Sequence, residues 1–255
     1  MLGAPEVPGG VHLSLIVPTL SRVATARLLA LRVRSLLPGL NVETIVVTPT
    51  PGVDEADAGI HFVEDRRRGV YAAYNSGLRE ARGEFVWFMG DDDYPLDGAA
   101  TLADLLTAAD ADVFVGPVLL SSGKIYRPKR SRLLLHFLNW CQQGVVYRRS
   151  LFHRYRLYSR LSIQADQYVN ILLRCDPEVR IVFVPETLCM FGVAGVSGQR
   201  LDTKYRSLRP ALAARTLGPL DLALFRGLTF VEPLAKRWLS KALTGRASVP
   251  VGRST

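Results

Sequence analysis

Between Val11 and Leu120 short apolar runs alternate with longer segments whose apolar residues recur every three or four positions. "VHLSLIVPTL" reads as a strand ending at Pro18, and "RVATARLLALRVRSLL" as a helix that "PGLN" stops. "VETIVVTP" and "IHFVED" predict the next two strands, "GVYAAYNSGLREAR" a helix, "EFVWFM" a fourth strand, "DGAATLADLLTAAD" a helix and "DVFVGPVLL" a further strand. Such alternation predicts an α/β protein whose mostly parallel central sheet is flanked by helices. Sheets of this kind bind ligands outside the carboxyl ends of their strands, so those ends are where chemistry is to be sought.

One of these ends is unusual. The run Phe85 to Met89 is apolar without alternation, as in a strand buried on both faces. It leads through Gly90 into Asp91, Asp92 and Asp93. Adjacent carboxylates repel one another, and folding alone does not call for them. A hard divalent cation, Mg²⁺ or Mn²⁺, would relieve the repulsion while keeping positions open for a substrate's phosphates. On these residues alone a solvated turn with an Asp capping the next helix competes with that reading. Placement at a strand's carboxyl end favours the site.

After Leu120 the pattern changes. "SSGKIYRPK" predicts a hairpin or loop, "GVVYRRSLF" a strand leading into a turn, "ADQYVNILLRC" a helix and "VRIVFVPETLCMF" a strand. Residues 199–243 are helical in pattern, interrupted at Pro210, Gly218, Pro219 and Pro233. There "LDLALFRGLTFVEPLAKRWLSKAL" mixes Leu, Phe and Trp with Arg and Lys, which suits an interfacial helix or a stripe docked on the domain. The terminal "TGRASVPVGRST" predicts disorder.

With 255 residues and 48% hydrophobic content the chain can bury one large core and still carry a tail. Its three cysteines are widely spaced without a CxxC, which argues against a disulfide framework or zinc site and fits a reducing cytoplasm. The opening "MLGAPEVPGG" lacks the basic and apolar regions of a signal peptide, and no apolar run reaches the ~18 residues of a membrane span. Net charge is −6 over residues 1–125, +9 over 126–160, −2 over 161–199 and +8 over 200–255. A basic surface of this size suits a phosphorylated substrate, anionic lipid or nucleic acid, or is simply solvated. Nucleic-acid binding leaves the three aspartates unexplained, so no nucleic-acid partner is expected.

The stretch "DRRRGVYAAYNSGLREARGEFVWFMGDDD" resembles family 2 glycosyltransferases of the GT-A fold, particularly the colanic-acid-type subgroup. "LSLIVPTLSR", "QGVVYRRSLF", "SIQADQYVNILLR" and "FGVAGVS" extend the resemblance over residues 12–198. It implies a GT-A domain over 1–198, with a donor half at about 12–120 and an acceptor half at about 121–198, followed by a basic helical extension over 199–255. It also implies that Asp92 is the best metal ligand, that Asp91 lies near ribose or metal, and that Asp93 is a ligand or supporting carboxylate. The cation would act as a Lewis acid on the departing nucleoside diphosphate. Thr19 falls where the family contacts the nucleoside, and Arg68 near the nucleoside or diphosphate, although Arg66 to Arg68 also suits a solvated loop. Asn75 and Gly77 match the family's Asn-x-Gly, as structural or contacting residues. Asp166 matches the base that takes the acceptor's proton. It is the only acidic residue between Asp112 and Asp176, and a helix-dipole role is its other reading.

The chain also departs from the family. Thr48 replaces an aspartate that often recognises the base, so a UDP-sugar is the first expectation with the base left open. Gln142 and Gln143 stand on the acceptor side where a His-Gln pair is frequent. The resemblance thus implies a Mn²⁺- or Mg²⁺-dependent inverting glycosyltransferase of cell-surface polysaccharide biosynthesis, cytoplasmic or peripheral on the inner face of the membrane. Its donor would be a nucleotide-diphosphate sugar and its acceptor a glycan or polyprenyl-diphosphate-linked molecule, with Arg127 to Arg160 and the basic C-terminal region facing the acceptor diphosphate and anionic lipid. Two alternatives are a degenerate, non-catalytic GT-A-fold binding protein and a sugar nucleotidyltransferase. The second usually has an N-terminal Gly-rich loop with a Lys, and "IVPTLSR" has neither.

Overall fold

A computed structural model describes residues 10–50, 59–66, 68–108, 110–157, 160–192 and 202–244, with side chains described through residue 231. The part of "FGVAGVS" after Gly192, Arg67 and residues 245–255 of the tail lie outside it.

The first half follows the predicted order: β1 (Leu13–Pro18), α1 (Val23–Leu36), β2 (Val42–Thr48), β3 (Ile60–Glu64), α2 (Val70–Glu80) and β4 (Phe85–Phe88). Next come β5 (Tyr94–Pro95), a 3-10 turn at Asp97–Thr101, α3 (Leu102–Ala108), β6 (Val113–Val115), β7 (Val118–Leu120) and β8 (Ile125–Tyr126). The remainder is α4 (Arg132–Leu135), β9 (Val145–Arg148), α5 (Leu151–Arg154), α6 (Ala165–Cys175), β10 (Ile181–Phe183), β11 (Cys189–Phe191), α7 (Thr203–Thr216) and α8 (Pro219–Thr244).

Seven strands form the central sheet in the order β10-β6-β9-β4-β1-β2-β3, with β9 antiparallel to both its neighbours and every other pair parallel. Side chains of successive strand residues point to opposite faces, so each buried strand feeds two cores. Phe85, Trp87 and Met89 join Leu13, Leu15 and Val17 beneath Leu29 and Val33 of α1. Val86 and Phe88 join Ile16, Ile45 and Tyr74 on the α2 side. Gly77 lets α2 approach closely, because a β-carbon there would lie 2.5 Å from Ile16 Cγ2. That settles the Gly of the Asn-x-Gly pair as a packing residue.

A second, four-stranded sheet runs β5-β11-β7-β8. It corrects two expectations, for "DVFVGPVLL" and "VRIVFVPETLCMF" are not single strands. Each gives its first part to the large sheet, as β6 and β10, and its second part to the small one, as β7 and β11. Pro117 and Pro185 interrupt them, since proline has no N–H for the ladder. By contrast Pro210 and Pro233 do not break α7 and α8. Pro210 is exposed, so water can satisfy the carbonyl that its missing N–H leaves over.

Candidate active site

β1 lies between β2 and β4 in the sheet order, where the chain changes direction across the sheet, the switch point beyond whose strand ends such sheets bind ligands. Thr19 follows β1 and is held by its N–H to the Val47 carbonyl at 2.9 Å. Its hydroxyl donates to Asp91 Oδ2 at 2.6 Å and accepts from the Arg22 N–H at 2.8 Å. Arg22 also approaches Asp91 Oδ1 at 3.7 Å. Asp91 is thereby committed to the β1 side.

Asp93 turns the other way and is buried. Its Oδ2 accepts from the Gly90 N–H at 2.5 Å and its Oδ1 from the Gly192 N–H at 3.1 Å, tying the end of β4 to the end of β11. Burial pushes its carboxyl up to about 7; the two N–H groups oppose that rise and the charge of Asp92 adds to it. Asp93 is thus held between the ends of β4 and β11.

Asp92 lies between them, and among the described residues its carboxylate makes no hydrogen bond or ion pair. Two glycines flank it. A β-carbon at Gly192 would lie 2.5 Å from the Asp92 carbonyl oxygen and 2.7 Å from Oδ2, and one at Gly90 would lie 2.8 Å from Oδ1. The described residues hold no group of three or more His, Cys, Asp or Glu side chains gathered for a metal. An unpaired, partly exposed carboxylate in a glycine cradle does fit a Mg²⁺ or Mn²⁺ ion that takes most of its ligands from substrate phosphates and water. Gly192→Ala is expected to lower unfolding free energy by about 1–3 kcal/mol through overpacking. Gly227→Ala, in open space on α8, should raise it by about 0.5–1 kcal/mol, and denaturant titration reads both.

On the α2 face of the sheet, Asp166 stands in the first turn of α6 and is buried. Tyr71 Oη donates to its Oδ1 at 2.7 Å and Asn139 Nδ2 to its Oδ2 at 2.6 Å. A second layer holds Asn139, whose Oδ1 accepts from Asn170 Nδ2 at 3.1 Å, while Tyr147 Oη donates to Asn170 Oδ1 at 2.9 Å. Burial raises the Asp166 pKa, and the bonds from Tyr71, the Gln167 backbone and Asn139 oppose that rise. Gln164, just before α6, has φ 72°, the only positive φ of a non-glycine residue among those described. Such a conformation persists only where surrounding contacts enforce it.

Tyr74 links the two sides, its ring centroid 6.5 Å from that of Tyr71 and 5.0 Å from that of Phe88 in β4. Burial holds its phenol well above the ordinary value, and the charges of Asp93, Asp166 and Asp92 add to that rise.

The other expected residues fall in varied places. Thr48 is buried at the end of β2 with a hydroxyl that has no hydrogen-bond partner. Arg68 is exposed just ahead of α2. Asn75 Nδ2 donates to the Leu157 carbonyl at 2.7 Å, which links α2 to the segment before α6. Gln142 is buried with an unpartnered Nε2, whereas Gln143 Oε1 accepts from Cys141 Sγ at 3.1 Å.

The basic stretch also divides, which corrects its expected orientation. Arg148 pairs with Glu84 and, at 3.0 Å, with Asp112, and Arg149 Nε donates to the Gly83 carbonyl at 2.7 Å. Because β9 is antiparallel to β4, these two arginines lie at the end of the sheet opposite the aspartates. Sequence reasoning missed Tyr71 and Asn139. Tyr71 lay within the family-like "YAAYN", but Asn139 gave no signal, since only the fold brings "HFLNW" to α6.

A mostly parallel α/β sheet with an aspartate-bearing strand end at its switch point and a buried acid in the first turn of a helix on one face is the GT-A architecture of glycosyltransferases. Residues 14–176 match the family described as Glycosyl transferase family 2, and the chain belongs to that family. PGL/p-HBAD biosynthesis glycosyltransferases of Mycobacterium bovis and Mycobacterium tuberculosis are 27% identical to it over 198 residues, covering 72% of this chain and 72% of theirs. Among solved structures, S. aureus TarS in complex with UDP-GlcNAc superposes with a TM-score of 0.64 at 17% identity, covering 86% of this chain and 73% of that one. The mannosyltransferase PcManGT from Pyrobaculum calidifontis, in complex with GDP-Man and Mn²⁺, gives 0.58 at 16% identity, covering 97% and 79%. At these identities the likeness is one of fold.

Proposed function

We infer that the chain transfers a sugar, with inversion, from a nucleotide-diphosphate sugar bound along Thr19, Thr48 and the aspartates to a hydroxyl of a glycan or lipid-linked acceptor in cell-surface glycan synthesis. The observation that carries this reading is that Asp92 is left unpaired at the end of β4 while Asp166 is buried and held by Tyr71, whose ring packs toward Tyr74 and, through it, Phe88 of β4. The order of motifs along the chain supports the colanic-acid-type subgroup. Structural neighbours bind UDP-GlcNAc and GDP-Man, so either base suits the fold, and the buried Thr48 hydroxyl is the candidate to read it.

Asp166 takes the proton of the acceptor hydroxyl as that oxygen attacks the anomeric carbon and the bond to the diphosphate breaks. Tyr71 and Asn139 each donate to a different oxygen, and a carboxylate has about four lone-pair sites with which to take the proton. Tyr71 and Asn139 fix its orientation and favour its ionised form. A bound Mg²⁺ or Mn²⁺ at Asp92 would neutralise charge on the departing diphosphate. A hydrogen bond to the charged form lowers a carboxyl's pKa, so Tyr71→Phe should raise that of Asp166. The acidic limb of the pH profile of kcat should then move to higher pH.

The test is a melting-temperature screen against nucleoside diphosphates and nucleotide-sugars with and without Mn²⁺. A ligand at about 100 times its Kd adds ~2.7 kcal/mol, which for a domain of this size raises Tm by roughly 5–10 °C. A Mn²⁺-dependent rise with one nucleotide is expected. A rise without any donor turnover would support the non-catalytic binding protein instead, and no rise would contradict both.

The reading also places the C-terminal region against an anionic membrane surface. Among the described residues no helix is long and apolar enough to cross a membrane. Yet α8 exposes Leu220 at 82% and Phe230 at 81%, with Leu224 and Leu228 on an adjoining stripe, in a basic stretch of the chain. A Leu220→Glu/Phe230→Glu double variant should sediment several-fold less with anionic vesicles at low salt than the wild type does. Equal partition would assign the stripe another role.

A further inference from the structure

We propose that Asp202, in the C-terminal extension beyond the family-matched residues, is a positioning residue for Asp166; this rests on the reading of Asp166 as the base. Asp202 caps α7, its Oδ1 accepting from the Lys204 N–H at 2.9 Å and the Tyr205 N–H at 3.1 Å. Its Oδ2 reaches 40 residues back along the chain to the Ser162 N–H at 2.7 Å, and also accepts from the Ile163 N–H at 3.1 Å. One carboxylate therefore holds four backbone N–H groups, two of them in the segment that leads into Asp166.

That segment needs holding. Gln164 follows directly in the left-handed region, and α6 begins at Ala165, so the direction in which Asp166 leaves the backbone depends on where Ser162 and Ile163 are fixed. The Gln164 side chain does not cap α6 from its N-cap position. Asp202 supplies the anchor from another element. It is buried, and although that burial opposes its charge, the bonds from Ile163, Tyr205, Ser162 and Lys204 keep its pKa below the ordinary value. Beside it, Tyr205 and Leu212 of α7 pack in the same core as Ala165, Val169 and Leu173 of α6. The extension is thus built into the base's support, and a catalytic domain ending where the family match ends would lack it.

Two substitutions separate the cap from the anchor. Asn and Ser both cap helices well, so Asp202→Asn and Asp202→Ser each keep an acceptor for α7. Asn places an NH₂ group where Oδ2 receives two N–H groups, and Ser has no second oxygen. Displacing a reacting group by about 1 Å costs on the order of a hundredfold in rate. In both variants kcat should fall at least about tenfold, while the donor KM and the helix content by circular dichroism stay near wild type. Hydrogen exchange gives an independent reading: the Ser162 and Ile163 amides should be protected in the wild type and exchange freely in the variants. Failure of either variant to fold leaves that wild-type measurement decisive. Unprotected Ser162 and Ile163 amides in the wild type, or an unchanged kcat in both folded variants, would overturn the proposal. A wild-type chain that never transfers sugar contradicts the base assignment and not the anchor, which the exchange measurement decides by itself.

Discussion

Asp166→Asn is expected to lower transfer by roughly 10²–10⁴-fold, the usual contribution of a positioned general base. The amide keeps the size of the carboxyl and can still accept from Tyr71, but it cannot take a proton from the acceptor. It also sets one NH₂ group against the Asn139 amide, so the local hydrogen bonds are disturbed by about 1–3 kcal/mol at most. Part of that loss is offset because a buried charge is removed. The donor side is separate, so Mn²⁺-dependent stabilisation by the nucleotide should persist. If Asp166 served only as a charge at the N-terminus of α6, its removal would cost about 0.3–1 kcal/mol of stability and leave turnover intact. Initial rates at saturating donor distinguish the two.

Asp92→Asn should remove most of the Mn²⁺-dependent rise in Tm produced by the nucleotide. Asp91 is engaged by Thr19 and Arg22, and Asp93 by two backbone N–H groups, so Asp92 is the carboxylate of the three left unpaired in the described structure. An amide is a poor ligand for a hard cation beside a diphosphate. The same change at Asp93 is expected to act differently, lowering the melting temperature without ligand, because it disturbs the tie between β4 and β11. Screening Asp92→Asn and Asp93→Asn side by side, with and without nucleotide and Mn²⁺, separates ligation from support.

The first half of the fold was legible because its signals are local. Apolar periodicity and the stops at "PGLN" and Gly90 placed β1 to β4 and the two helices between them. The second half was less so. Between the two halves of "DVFVGPVLL", Gly116 packs where a β-carbon would lie 2.5 Å from Leu188, a residue far along the chain that no local signal brings there. The site divided in the same way. The three aspartates and Asp166 stood out by type and position, yet sequence could not say that each aspartate would take a different partner. Tyr71, Asn139 and Asp202 act through contacts 95, 27 and 40 residues distant, which no spacing rule anticipates. Arg148 and Arg149 looked like part of one basic surface, and only strand direction shows that they serve the far end of the sheet.

The most direct test of the account is steady-state transfer measured over a range of donor concentrations for the wild type, Asp92→Asn and Asp166→Asn at fixed Mn²⁺ and acceptor. A raised donor KM is expected for Asp92→Asn, and a near-normal donor KM with a collapsed kcat for Asp166→Asn. Wild-type kcat in Asp166→Asn, or an unchanged donor KM and kcat in Asp92→Asn, would contradict the assignment of these two carboxylates to opposite sides of one transfer reaction.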